Sequence, residues 1–108
     1  MLTKEIETRE RKAVIPKPIR IVDKALLARV RELPCVACGA RRTEAAHIKS
    51  RGAGGGDTVD NVIPLCRRCH SSQHQLGWFL FLDLYPTAVD ALKIRGWTIV
   101  DGKLGKMT

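Results

Sequence analysis

The sequence predicts a small single domain of the α+β class. Its length, its composition and its pattern of helical and extended segments support this prediction. The chain has 108 residues, which allows one domain with one modest core. Hydrophobic residues make up 44% and charged residues 28%, ordinary values that argue against a wholly disordered chain. Short segments of helical periodicity alternate with short extended segments, and no strand-helix-strand repeat of a parallel sheet is present.

Residues 1–20 are expected to form a basic and extended arm. They contain six basic and three acidic residues, and they include Pro16 and Pro18, which disfavour a helix. Such an arm suits contact with phosphates, and it equally suits a solvated tail. Residues 21–108 are then expected to form the single domain.

The first elements of that domain follow from local patterns. A helix is predicted between Asp23, a suitable N-cap, and Pro34, which stops it; apolar residues recur at positions 26, 27, 30 and 33. Residues 43–49 resemble a short strand. Residues 50–57 hold four glycines within five positions, which is typical of a loop whose backbone approaches a neighbour closely.

The second half of the chain is predicted to be mostly helical. A short extended piece at 61–65 leads into a helix over Arg67–Leu76, which Gly77 ends. Residues 78–82 are expected to supply most of the aromatic core. A further helix is predicted over residues 87–95, followed by one short strand from residue 97 and a frayed tail.

The net charge and the hydropathy of the chain limit its expected binding partners and its expected location. The formal net charge of +8 favours a polyanionic partner, most often nucleic acid. No apolar run approaches the roughly 18 to 20 residues that a bilayer span needs. Residues 1–11 lack the apolar segment of a signal peptide. We therefore expect a cytoplasmic protein without membrane contact, in which thiols stay reduced.

All four cysteines occur in two pairs of equal spacing, Cys35-x2-Cys38 and Cys66-x2-Cys69, separated by 27 residues. In a reducing compartment, two such pairs are typical of four thiolates arranged tetrahedrally around zinc. The alternatives are two surface redox pairs or four buried free cysteines. A thioredoxin-like pair would need a βαβ unit, which the pattern lacks. The spacing favours one structural zinc ion held by all four cysteines.

The three histidines, His47, His70 and His74, all lie within or just after the interval between the cysteine pairs. His70 and His74 stand at i and i+4 on a predicted helix, so both rings can reach one ion. His47 lies near the end of a predicted strand, where a neutral imidazole can take a proton from water. Asn61 can tie the loop to that strand through backbone hydrogen bonds. Taken singly, each histidine is better explained as a packed or solvated residue, and Asn61 as a turn asparagine.

Together these residues resemble a known signature. His47, 13 intervening residues, Asn61, 8 more and His70 resemble the His-Asn-His motif of HNH endonucleases. The flanking cysteine pairs resemble the zinc ribbon that many of these enzymes carry. The stretches 45–48 and 60–70 resemble small stand-alone enzymes of phages and prophages, nicking endonucleases among them. The resemblance covers roughly residues 33–77.

The resemblance implies a ββα-metal (His-Me finger) core over about 33–77. The four-cysteine zinc site would stabilise this core, and helices would flank it. It also implies hydrolysis of DNA phosphodiester bonds, leaving 5′-phosphate and 3′-hydroxyl ends. His47 would activate water, Asn61 would orient His47, and His70 with His74 would hold one divalent ion. Manganese or magnesium is expected at that site, with nickel as a further candidate. One such site in a monomer implies nicking of one strand.

DNA-backbone contacts are expected from basic residues around the motif, with solvated surface charge as the alternative: Lys49, Arg51, Arg67 and Arg68. One departure from the family pattern is Ala46, where many members carry an acidic or histidine metal ligand before the base. Asp57 and Glu44 are nearby acidic groups, but neither stands at the family position. The runner-up function is a catalytically silent zinc-ribbon module that binds nucleic acid.

Overall fold

The structure is a computed structural model and describes residues 20–106. Within this range it confirms the α+β class, with three α-helices and two antiparallel two-stranded sheets. The elements in chain order are α1 (Lys24–Val30), β1 (Thr43–His47), a 3-10 turn (Arg51–Ala53), β2 (Val62–Cys66), α2 (Arg67–Leu84), α3 (Pro86–Ile94), β3 (Trp97–Val100) and β4 (Lys103–Lys106). The expected extended arm lies outside the described residues, apart from Arg20.

Helix α1 begins where the sequence predicts. The Asp23 side chain accepts a hydrogen bond from the Leu26 N–H at 3.0 Å, which satisfies a free donor of the first turn. The helix ends at Val30, earlier than predicted, because the N–H groups of Glu32 and Leu33 donate to carbonyls three residues back and tighten the chain into turns. No helix within residues 20–106 combines the length and the apolar character that a membrane span requires.

Strands β1 and β2 pair antiparallel, with Thr43 opposite Cys66 and His47 opposite Val62. All five residues of β2 are buried, because elements pack on both of its faces. Val62 packs with the apolar residues of α1, whereas Ile63 and Leu65 belong to the larger core formed with α2 and α3. The alternation of side chains along a strand places these neighbours in different layers.

Helix α2 is longer than the sequence predicts. Gly77 does break the regular helix, with a left-handed φ of 81°, but the chain resumes helical geometry at Trp78 and continues to Leu84. Glycine adopts this conformation readily because it has no Cβ. The Trp78 indole Nε1–H donates to the Ile48 carbonyl at 3.2 Å and thereby joins the second part of α2 to the end of β1.

The aromatic segment forms the core only in part. Phe81 is fully buried between the rings of Trp78 and Tyr85, with ring centroids 5.9 and 4.9 Å away. Phe79 and Leu80 are about half exposed, since they lie on the outer side of the same helix. Of the three aromatic residues in 78–82, Trp78 and Phe81 contribute to the core as expected, whereas for Phe79 the expectation is wrong.

The chain after α3 forms a hairpin where one strand and a frayed tail were predicted. Asp101 and Gly102 both have positive φ, 53° and 75°, as a two-residue hairpin turn with the right twist requires. The hairpin docks against the loop before β2. The Trp97 indole N–H donates to the Asp60 carbonyl at 2.7 Å, and the Lys106 ammonium donates to the Asp60 carboxylate.

We expect Phe81→Ala to lower the free energy of unfolding by about 3 to 5 kcal/mol, because it empties the centre of the core. Phe79→Ala is the matched control on the same helix, and its effect should stay within about 1 kcal/mol. Urea unfolding of the two variants measures both values. Equal losses would contradict the packing described above.

Candidate functional site

The four cysteines come together between the α1–β1 connection and the start of α2. Their sulfur atoms all lie within 4.8 Å of one another, and the Sγ atoms of Cys38 and Cys66 are 3.6 Å apart. Thiolates at about 2.3 Å from a tetrahedral zinc ion are separated by about 3.8 Å. The cluster could therefore bind a structural zinc ion, and none of these cysteines forms a disulfide.

Local backbone geometry presents the sulfurs to a common point. In the first pair, the Gly39 N–H donates to the Cys35 carbonyl at 2.8 Å, and Gly39 has a φ of 81°. The Val36 N–H donates to the Pro64 carbonyl and ties this turn to β2. In the second pair, the Cys66 sulfur caps α2 by accepting the Cys69 N–H at 3.5 Å.

The thiols differ in how readily they lose their protons. Burial on its own raises the pKa of Cys35, but hydrogen bonds from the backbone, chiefly that of Cys66, outweigh burial and lower this pKa to about 7. For Cys69, burial raises the pKa, and the sulfur of Cys66 adds to the rise. A metal ion would have to displace protons from such thiols, so metal affinity should fall as the pH falls.

Two histidine rings of α2 face each other and one carboxylate. The Nε2 atoms of His70 and His74 are 3.2 Å apart, and His70 Nδ1 lies 2.8 Å from Glu44 Oε1. An ionised carboxylate only accepts, so Nδ1 is the nitrogen of His70 that donates to Glu44, and in the neutral ring Nε2 then carries the lone pair. Ring nitrogens bound to one ion at about 2.1 Å lie about 3.0 to 3.4 Å apart, and such a histidine commonly donates its other N–H to a carboxylate.

His47 also has a carboxylate partner, Asp57 from the glycine-rich loop. Its Nε2 lies 2.7 Å from Asp57 Oδ1, and the Asp57 side chain is 1% exposed. Burial alone would raise the pKa of Asp57, but hydrogen bonds from His47, the Asp23 N–H and Arg20 hold it well below the ordinary range. Asp57 is therefore ionised and accepts the Nε2–H, which leaves Nδ1 of His47 as the basic nitrogen.

Asn61 is buried and bonds the backbone on both sides of the loop. Its Oδ1 accepts the Lys49 N–H at 2.8 Å, and its Nδ2 donates to the carbonyls of Lys49 and Gly56 at 3.1 and 2.9 Å. These bonds tie the loop to the end of β1, as the sequence suggested. Among the described residues, no hydrogen bond joins the Asn61 and His47 side chains, and Asn61 is connected to the end of β1 through backbone groups alone.

One open cleft of about 530 Å³ brings the three histidines together. Its lining comes from the α1–β1 connection, β1, the 3-10 turn and α2: Arg31, Glu44, Ala45, His47, Ser50, Arg51, His70 and His74. The sequence motif thus corresponds to a single cavity rather than to dispersed positions. Asn61 and Asp57 lie behind its wall.

The basic residues divide into two groups. Of the four expected DNA contacts, only Arg51 lines the cleft, whereas Lys49, Arg67 and Arg68 are exposed outside it. Sequence reasoning missed Arg31, which reaches the cleft because Thr43 Oγ1 donates to its carbonyl and holds the end of α1 beside β1. No local pattern in the sequence marks that long-range contact.

A protein family matches most of this chain. The family described as "Protein of unknown function (DUF968)" matches residues 4–77, a region that ends at the break in α2. Neither the curated proteins nor the solved structures provide a match.

We expect one zinc ion per chain, with Cys66→Ser losing both the zinc and the cooperative unfolding transition because metal binding contributes to folding. His74→Ala serves as the control and should keep the zinc. Elemental analysis and thermal unfolding report the two properties. A stably folded wild-type protein that contains no zinc after purification would contradict this expectation.

A glycine pair tests the loop behind His47. A Cβ on Gly55 would lie 1.8 Å from the Lys49 carbonyl oxygen, whereas a Cβ on Gly52 would meet nothing within 4 Å. Gly55→Ala should therefore destabilise the protein by about 1 to 3 kcal/mol or more, because backbone must move. Gly52→Ala should change stability by less than about 0.5 kcal/mol. Urea unfolding distinguishes them, and similar curves for both variants would refute the close approach.

Proposed function

We propose that this chain, which belongs to the DUF968 family, is a metal-dependent DNA endonuclease of the HNH type that nicks one strand. The observation that carries the proposal is the shared cleft, where His47 and the facing pair His70 and His74 lie beside two arginines. A base, a divalent-ion site and positive charge are the three components that phosphodiester hydrolysis requires. The succession of β1, β2 and α2 also supports a ββα-metal core.

His47 would act as the general base. Its Nε2–H is engaged by Asp57, so Nδ1 is the nitrogen that takes a proton from water. The water oxygen then forms a bond to phosphorus as the bond from phosphorus to O3′ breaks. O3′ takes up a proton from solvent, which leaves 5′-phosphate and 3′-hydroxyl ends.

His70 and His74 would hold the catalytic ion. Their Nε2 atoms have the separation of two ligands of one ion, and Glu44 fixes the ring of His70 by accepting its Nδ1–H. A bound manganese or magnesium ion would supply positive charge to the phosphate and to the leaving oxygen. Ala46 stands at the position on β1 where many members of the family carry a metal ligand. The protein would therefore offer the ion two imidazoles, and water and substrate oxygens would occupy its other coordination positions. Nickel also suits this imidazole pair.

The charge of the molecule favours DNA as the substrate. Arg31 and Arg51 flank the histidines in the cleft, where they can neutralise phosphates next to the scissile bond. Arg67 and Arg68 are exposed at the start of α2 and continue the positive charge beyond the cleft. The net charge of +8 favours a long polyanion over a small phosphodiester.

Incubation of supercoiled plasmid with the zinc-loaded protein and manganese should yield open circles, and a chelator should prevent it. His47→Ala should lower the rate at least about 100-fold, because the base is lost, while affinity for manganese and DNA stays near wild type. His74→Ala should weaken manganese binding instead. Gln75→Ala, an exposed neighbour on α2 outside the cleft, is the matched control and should retain the rate.

The time course separates the alternatives. A monomer with one site should give open circles first and linear DNA only late, and sedimentation shows the oligomeric state. Linear product without an open-circle phase would contradict a single-site nicking enzyme. DNA binding without cleavage under any divalent ion would leave the catalytically silent zinc-ribbon module as the function. Full activity of His47→Ala would refute the assignment of the base.

A further inference from the structure

One oxygen of the Asp57 carboxylate accepts hydrogen bonds from two side chains. One is the guanidinium of Arg20, which is a cation, and the other is the ring of His47, which can become one. Oδ1 accepts hydrogen bonds from His47 Nε2 at 2.7 Å and from Arg20 Nη1 at 2.9 Å. The other oxygen, Oδ2, accepts the Asp23 backbone N–H at 2.9 Å. The Asp57 side chain is almost inaccessible, whereas that of Arg20 is 25% exposed. The base of the proposed nuclease thus belongs to a chain of three side chains.

Arg20 is held at this place by the backbone around it. The Asp57 N–H donates to the Ile21 carbonyl at 2.8 Å, and Gly56 approaches Ile21 so closely that a Cβ on Gly56 would lie 3.0 Å from the Ile21 Cβ. The Arg20 guanidinium also reaches the Gly55 carbonyl at 3.4 Å. Residues 20–23 therefore dock along the glycine-rich loop, outside the 33–77 region of the HNH resemblance.

A buried carboxylate beside a histidine has two opposed effects on a general base. It fixes the ring and its tautomer, which favours proton transfer in one direction. It also stabilises the protonated ring, and a protonated ring cannot accept the proton of water. A guanidinium on the same carboxylate oxygen offsets the negative charge that His47 experiences, but leaves the Nε2–H bond intact.

We propose that Arg20 is a positioning residue for this site, one that lets Asp57 orient His47 while keeping the ring unprotonated and therefore able to act as a base. The proposal rests on the proposed role of His47 in hydrolysis. In this arrangement Arg20 contacts neither the substrate nor the metal ion. It acts on His47 only through the carboxylate of Asp57. Its effect is electrostatic, so its charge matters more than its shape.

Other charged and titratable groups around His47 contribute to the same field. Across the cleft stand Arg31 from the end of α1, Glu44 from β1, Arg51 from the 3-10 turn, and His70 and His74 from α2. Glu44 is engaged by His70, and the Asp23 side chain is engaged in capping α1. Arg20 is the cation that bonds the same carboxylate as His47, which makes its removal the most direct test.

The test is a pH titration of the histidine rings by ¹⁵N NMR, on the full zinc-loaded chain without a second divalent ion. The chain has three histidines, so His70→Gln and His74→Gln assign the remaining ring signals to His47. Arg20→Gln should raise the pH at which His47 is half protonated by about one unit. Asp57→Asn should lower it, since the carboxylate charge is lost while Arg20 remains. Arg20→Lys should restore the wild-type value to within about 0.3 units.

Arg41→Gln removes one positive charge from an exposed position elsewhere and should leave the midpoint unchanged. Circular dichroism and zinc content confirm that each variant is folded. If the protein nicks DNA, the acid limb of the pH–rate profile of Arg20→Gln should move in parallel with the NMR midpoint. An unchanged midpoint in Arg20→Gln overturns the proposal, even if the protein nicks DNA. A shifted midpoint in a protein that never cleaves DNA supports the positioning role and refutes the nuclease instead.

Discussion

The arrangement of the site depends on the direct junction between β2 and α2. The strand ends at Cys66 and the helix begins at Arg67, with no connecting residue between them. Cys66 keeps extended backbone geometry, and its sulfur both caps the helix and belongs to the four-cysteine cluster. With no loop to absorb a change of direction, the register of β2 on β1 also determines where the first turns of α2 point. His70 therefore reaches Glu44 of β1, and His70 and His74 line the same cleft as His47.

The two imidazole–carboxylate pairs of the cleft are built differently, and the difference fits the two tasks proposed for them. Asp57 is enclosed and bonds three donors, so the ring of His47 is held in one orientation. Glu44 is half exposed and has one histidine partner, so the rings of His70 and His74 remain accessible from solvent. A group that moves a proton benefits from fixed geometry. A site that exchanges an ion with solvent needs an open side.

The sequence predicted the parts of this molecule that depend on short-range spacing. The cap at Asp23, the convergence of the cysteine pairs, and the histidines one helical turn apart follow from patterns within a few residues or from repeated spacing. The partners of Asp57 did not follow, because Arg20 lies 37 residues away and meets it only after the loop folds back. The outward direction of Phe79 was likewise hidden, since Gly77 resets the helical phase that a sequence pattern assumes. The hairpin turn at Asp101 and Gly102 did carry a local signal, because an Asp-Gly pair is typical of a two-residue hairpin turn, although a frayed tail was predicted there.

The contacts between Asp60 and the C-terminal hairpin affect the order in which the chain folds during its synthesis. Trp97 and Lys106 reach back 37 and 46 residues to this one residue, which lies in the connection between the two strands of the cleft. A ribosome releases the chain from its N-terminus, so the segments that carry His47, Asp60 and His70 emerge well before the C-terminal hairpin that contacts Asp60. Contacts between residues so far apart in the sequence form slowly, because the long segment between them must be ordered first. Completion of the fold around the cleft therefore waits until residues 97–106 have been synthesised.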